Sequence, residues 1–140
     1  MKKKSDVDRL ESGFQIKNLV LLESHFKRIP NVKFESASDK RIQVAVNVQV
    51  KENTISVTEK VEYTQLLNQM EEVSCTIVMA GIFEKVGNSK IVNLEEFGRI
   101  NGAAIIFPYI REHLSNLSAK AGLGVIMLAP INFTNLAKQK

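Results

Sequence analysis

The sequence predicts an α+β domain in which a four-stranded antiparallel sheet comes first, a long helix packs on it, and a short helix closes the chain. Three observations carry this expectation. Ile42, Val44, Val46, Val48 and Val50 alternate with Gln43, Ala45, Asn47, Gln49 and Lys51, the period of two of a strand with one buried face. Further runs of that period lie beyond short polar breaks on its C-terminal side. After Asn93 the period lengthens, with Ile106, Ile110, Leu114, Leu117 and Ala121 at helical spacing.

A chain of 140 residues, 44% hydrophobic and 24% charged, suits one domain with its own core. Residues 1–12 read as a mobile basic tail, 13–133 as the domain and 134–140 as a short basic tail in which a helical turn starts near Thr134. Met1-Lys2-Lys3-Lys4 opens like a signal peptide, but Ser5-Asp6-Val7-Asp8-Arg9 follows where the apolar stretch should be. The longest clear apolar run, Val125 to Ala129, falls far short of the roughly 18 residues of a membrane span, so a cytoplasmic protein without membrane insertion is expected.

In the first strand Phe14, Ile16, Val20 and Leu22 share one parity, interrupted by Asn18, while Leu19 and Leu21 make the other face apolar. Both faces of this strand are therefore expected to be covered. His25 to Lys40 contains Pro30 and polar residues yet carries Phe26, Ile29, Val32 and Phe34, the pattern of a long crossover with apolar groups to bury. The alternating run from Ile42 ends at Lys51-Glu52-Asn53, a hairpin break. Ile55, Val57, Val61 and Tyr63 form the buried face of the next strand, and Asn68 to Glu72 forms a second turn. Val73, Cys75, Ile77, Met79, Gly81 and Phe83 face the core from the last strand, whose second half is apolar on both sides through Val78, Ala80 and Ile82. The simplest connection is a meander in chain order.

Beyond the loop from Val86 to Lys90, Asn93 and Glu96 make a capping-box start to a short helix, which Gly98 and Asn101-Gly102 weaken. A longer helix runs from about Ala103 to Ala121, either starting near Pro108 or kinked there, and Gly122 suits its C-terminal cap.

The residues offer little chemistry. Cys75 with His25 or His113 is the one conceivable thiol–imidazole pair, and Cys75 falls on the apolar parity of a strand, where a free cysteine behaves as a small hydrophobe. A lone cysteine and two separated histidines make no metal site. Glu71-Glu72 and Glu95-Glu96 are neighbours that point apart, which suits solvent better than acid–base work, and Gly122-Leu123-Gly124 lacks the remainder of a phosphate loop. No catalytic residue, metal or cofactor is expected, and the pattern is that of a binding module rather than an enzyme. The net charge of +4 resides in the termini: five of the 19 basic residues are Lys2, Lys3, Lys4, Lys138 and Lys140, and without them 14 basic residues stand against 15 acidic ones. A nucleic-acid groove, with clustered cations and stacking aromatics, is not expected.

Asn101-Gly102-Ala103-Ala104-Ile105-Ile106-Phe107-Pro108-Tyr109-Ile110-Arg111-Glu112, followed by Leu128-Ala129-Pro130-Ile131-Asn132-Phe133, resembles the helix and the loop that mark the SecB family of export chaperones. Phe14-Gln15-Ile16 and Gly81-Ile82-Phe83 match in the same order and spacing, so the resemblance extends over about residues 14 to 133. It implies an ATP-independent holdase for unfolded polypeptides awaiting the Sec translocase, or a dedicated SecB-like chaperone of an aggregation-prone antitoxin in a toxin–antitoxin system. It also implies a homotetramer, a dimer of dimers with the long helices between the sheets, with Phe107, Pro108, Tyr109, Ile110, Leu114 and Leu117 at the interface. Residues matching the family's polypeptide groove are Phe26, Ile29, Val32, Phe34, Ile42, Val44, Leu123, Val125 and Met127. For docking of the motor SecA, Glu23 keeps one acidic position, whereas Lys27 and Thr76 stand where the family tends to be acidic and the tail after Phe133 is brief and basic.

Overall fold

The computed structural model describes residues 13–34, 38–87 and 93–138. The N-terminal basic tail, the middle of the crossover, most of the loop that follows the sheet, and Gln139-Lys140 lie outside the described residues.

Four strands form one antiparallel sheet: β1 (Phe14–Arg28), β2 (Asp39–Lys51), β3 (Thr54–Leu67) and β4 (Met70–Lys85). Their order is β1-β4-β3-β2, which corrects the meander. Only β2, β3 and β4 follow one another by hairpins, while the crossover returns the chain from β1 at one edge to β2 at the other. In this order β4 is a central strand, paired with β1 on one side and β3 on the other. Val78 and Ala80 stand opposite Glu23 and Val20 of β1, and Ile77 stands opposite Val61 of β3. Both hairpins turn on two residues: Glu52-Asn53, with Glu52 at φ +56°, and Asn68-Gln69, with φ +52° and +66° as a type I′ turn requires. Glu71 and Glu72 therefore belong to β4.

Two β-bulges overturn the parity expected for β1. Register shifts between Ile16 and Asn18 and between Leu21 and Glu23 leave Lys17 and Leu22 unpaired, and each switches the faces of the residues beyond it. Leu19, Leu21 and Phe26 stand opposite Gly81, Met79 and Cys75 on the core side, whereas Val20 stands opposite Ala80 on the other. Within the single chain neither face of β1 is fully covered, and Val20, Leu21 and Leu22 are exposed. β2, the other edge, buries its apolar face only in part: Val44, Val46 and Val48 are half-buried, and Ile42 and Val50 are exposed.

The helical segment begins at α1 (Leu94–Phe97), where the Asn93 side chain accepts the Glu96 amide at 2.9 Å as its cap. It continues without a break through a π-helical turn (Gly98–Gly102) into α2 (Ala103–Lys120). The two glycines expected to interrupt the helix instead bring it close to the sheet. A Cβ on Gly98 would stand 2.8 Å from Val48 Cγ1, and one on Gly102 would stand 2.9 Å from Val57 Cγ2. Pro108 lies inside α2; it and Ala104, whose carbonyl loses the proline's amide as a partner, are both exposed. Past α2, Gly122 takes φ +74°, its amide donates to Ala119, and the Leu123 amide donates to Ser118 at 3.0 Å, a Schellman ending. The chain closes with α3 (Phe133–Lys138), whose Phe133 and Leu136 pack on the core, so these residues belong to the domain rather than to a tail.

The core lies between the helices and the inner sheet face. Phe14 stacks on Phe97 at 3.8 Å between ring centroids, Phe83 meets Phe97 edge-on, and Phe107 meets Phe133 edge-on at 5.6 Å. A charged residue sits in this layer, because Glu59 takes the core parity between Val57 and Val61 and is fully buried.

Candidate client groove

A groove of about 520 Å³ opens between three segments. Ile42 of β2 with Tyr63 and Gln65 of β3 form one wall, Phe34 and Ser38 border the crossover side, and Leu123 to Ala129 form the opposite wall. Large apolar side chains stand exposed around it: Phe34 at 65%, Val125 at 62% and Met127 at 71%. Such a cluster, rimmed by Lys40, Arg41 and Ser38, is the surface expected of a site that takes apolar partners. Phe34 also holds φ +55°, a conformation a bulky residue seldom adopts.

The crossover is held by a carboxylate aimed inward by a bulge. The register shift between Gln65 and Leu66 leaves Glu72 without a partner in β3 and turns its side chain to the core side. There its Oε2 accepts the Lys33 amide at 2.9 Å, and its Oε1 accepts the Gln65 amide at 3.3 Å. Gln65 in turn accepts the Tyr63 hydroxyl at 3.2 Å, which ties the groove wall to the same network. Glu72 is 1% exposed, which corrects the expectation that both members of the Glu71-Glu72 pair face water. Arg28 adds a second tie, donating to the carbonyls of Ile29, Pro30 and Ala121, so that the end of β1 and the end of α2 share one cation.

Of the groove residues read from the sequence, Phe34, Ile42, Leu123, Val125 and Met127 line the cavity. Val32 is buried, and Phe26, Ile29 and Val44 pack against the core, so these four do not line this cavity. Ser38, Lys40, Arg41, Tyr63, Gln65 and Ala129 line it without having been singled out. In the sequence Tyr63 reads as core, Ala129 as part of the loop motif, and the polar residues on an alternating strand as solvent face. Among the interface candidates, Phe107, Ile110 and Leu114 are buried within this chain's own core, Leu117 is half-buried, and Pro108 and Tyr109 are exposed.

The remaining candidates stand apart. Glu23 is exposed on the outer sheet face, 3.2 Å from His25, with Lys27 and Thr76 on the same face. Cys75 is buried, and burial pushes its thiol up to about 11. His113 is hydrogen-bonded to Ser24 at 2.8 Å and His25 to Glu23, so neither histidine is engaged with the thiol. Among the described residues no three His, Cys, Asp or Glu side chains are grouped to hold a metal ion, and no helix is long and apolar enough to cross a membrane.

The family model for SecB, described as preprotein translocase subunit SecB, matches residues 13–140. The protein-export protein SecB of Chromobacterium violaceum is 29% identical over 140 residues, covering 97% of this chain and 93% of that protein. The SecB of Methylococcus capsulatus is 33% identical over 114 residues, covering 79% of this chain and 66% of its own length. In fold, the chain is similar to the Mycobacterium tuberculosis SecB-like chaperone Rv1957, solved in complex with a ChAD peptide from the HigA1 antitoxin. That match has a TM-score of 0.73 at 16% identity and covers 88% of this chain and 94% of that one.

Proposed function

This chain belongs to the SecB family of protein-export chaperones, and on that basis we propose that it is an ATP-independent holdase acting in the cytoplasm. It captures unfolded polypeptides in the groove between the crossover and the loop after α2 and keeps them competent for the Sec translocase. The observation that carries this is the cluster of Phe34, Val125 and Met127, three large apolar side chains left in water around a cavity. An extended client satisfies both parts of such a site, inserting apolar side chains while its backbone meets the polar rim at Ser38, Lys40 and Arg41. Flexible Met127 suits varied clients.

The working form is a homotetramer, a dimer of dimers. Val20, Leu21, Leu22 and Tyr109 are left exposed by the single chain and gain cover from a second copy. The experiment is light scattering as a denatured, aggregation-prone protein is diluted into increasing amounts of this one without nucleotide. Suppression that saturates near one client per tetramer supports the holdase, and no suppression at several-fold excess sinks it.

A second reading has its own support. The Mycobacterium tuberculosis chaperone of the same fold was solved holding an antitoxin peptide, and Lys27 and Thr76 leave Glu23 as one acid for a SecA contact. A dedicated antitoxin client predicts that an antitoxin, and not SecA, is retained on the immobilised protein.

A further inference from the structure

Residues 123–129 run along the groove with neither a sheet ladder nor a helix to fix which side chains face it. They are nevertheless sorted: Val125 and Met127 stand exposed, whereas Ile126, which also borders the cavity, is half-buried and packs against the core. The sorting coincides with a pair of hydrogen bonds from α2. The Ile126 amide donates to the Ser118 hydroxyl at 2.9 Å, and the Ser115 hydroxyl donates to the Ile126 carbonyl at 2.9 Å. Both main-chain polar groups of a single residue are thereby held by helix side chains.

Ser118 is an unexpected residue where it stands. Ile106, Ile110 and Leu114 make a stripe at four-residue spacing, and the next position of the stripe is Ser118, also fully buried. An apolar side chain would suit the packing, and alanine would suit the helix better. Its hydroxyl donates to the Ser115 carbonyl at 3.0 Å, which consumes its one proton and turns a lone pair to the Ile126 amide. A slip of the loop by one residue would send Ile126 outward and turn Val125 or Met127 inward.

We propose that Ser115 and Ser118 are positioning residues of the client groove: they clamp the main chain of Ile126 and so hold Val125 and Met127 where a polypeptide binds. This rests on the holdase reading and adds the element that sets the register of one groove wall.

The test compares the wild-type chain with Ser118→Ala and Ser115→Ala. The readouts are binding of a reduced, carboxymethylated, dye-labelled polypeptide that cannot refold, hydrogen exchange at the Ile126 amide, and thermal unfolding. For Ser118→Ala the Kd is expected to rise about tenfold, the loss of one buried hydrogen bond's worth of order. The Ile126 amide loses its protection, and the thermal midpoint falls by less than about 5 °C. Ser115→Ala, which removes the donor to the Ile126 carbonyl and leaves the amide's acceptor in place, gives a smaller rise. Unchanged binding by Ser118→Ala overturns the proposal, whether or not Ile126 exchanges faster. So does weaker binding with Ile126 still protected, because the effect then arises elsewhere. A wild-type chain that never holds the polypeptide overturns the holdase reading itself, a result distinct from either.

Discussion

The Lys33 main-chain amide donates to the Oε2 atom of Glu72 over 2.9 Å, so a buried carboxylate at the start of β4 fixes the crossover beside Phe34. Glu72→Ala is expected to leave this amide and the Gln65 side chain without their buried acceptor, at a cost of about 2–3 kcal/mol in urea unfolding. The Lys33 amide should lose its exchange protection first. Unaltered exchange at Lys33 would separate the crossover from Glu72.

Glu59 predicts a pH dependence. Burial raises its carboxyl from 4.5 to about 8, and neither oxygen has a hydrogen-bond partner. Below pH 4.5 folded and unfolded chains are both protonated there, and the position contributes no slope. As pH rises from 4.5 toward about 8 the unfolded chain releases the proton and the folded one keeps it, so stability is lost across that window. Glu59→Gln should flatten this slope, and Glu59→Leu should stabilise the protein at pH 8 by on the order of 3–5 kcal/mol. Chemical unfolding at several pH values reads both, and a slope unchanged in Glu59→Gln would contradict the assignment.

At Gly98 two tendencies oppose. Alanine is better in a helix by about 1 kcal/mol, but its Cβ would stand 2.8 Å from Val48 and 3.0 Å from Ile55. Overpacking of this kind costs about 1–3 kcal/mol, so Gly98→Ala is expected to be net destabilising. The double variant Gly98→Ala/Val48→Ala should show a coupling energy that recovers part of the loss. Simple additivity of the two would argue against a clash.

Val125→Asp and Met127→Asp place charges at exposed positions, so each should leave stability within about 0.5 kcal/mol of wild type. Both should weaken suppression of client aggregation several-fold. Full suppression by the double variant would move the client site away from this loop.

The Cys75 thiol, buried and raised to about 11, should resist a disulfide reagent at neutral pH in the folded protein and react fully in denaturant. Rapid labelling of the folded chain would reopen thiol chemistry.

The class of the fold was legible in the sequence alone, because the period of side-chain burial is a property of each segment. The alternation from Ile42 to Val50, the cap at Asn93 and the glycine at 122 each named their element without reference to the rest of the chain. The motifs around Phe107-Pro108-Tyr109 and Leu128-Ala129-Pro130 were legible in the same way. Features that depend on neighbours emerged with the three-dimensional structure. The place of β1 beside β4 comes from pairing between distant strands, and the bulges at Lys17, Leu22 and Glu72 exist only relative to a partner strand. Glu72 looked like a solvent-facing acid because polarity is the sequence's one sign of exposure, and burial reversed it. Gly98 and Gly102 looked like helix breakers because the sheet they approach is not visible from the helix. The groove belongs to the same category: Phe34, Ile42, Tyr63 and Met127 become one site only when strand pairing and the end of α2 bring three separate segments together.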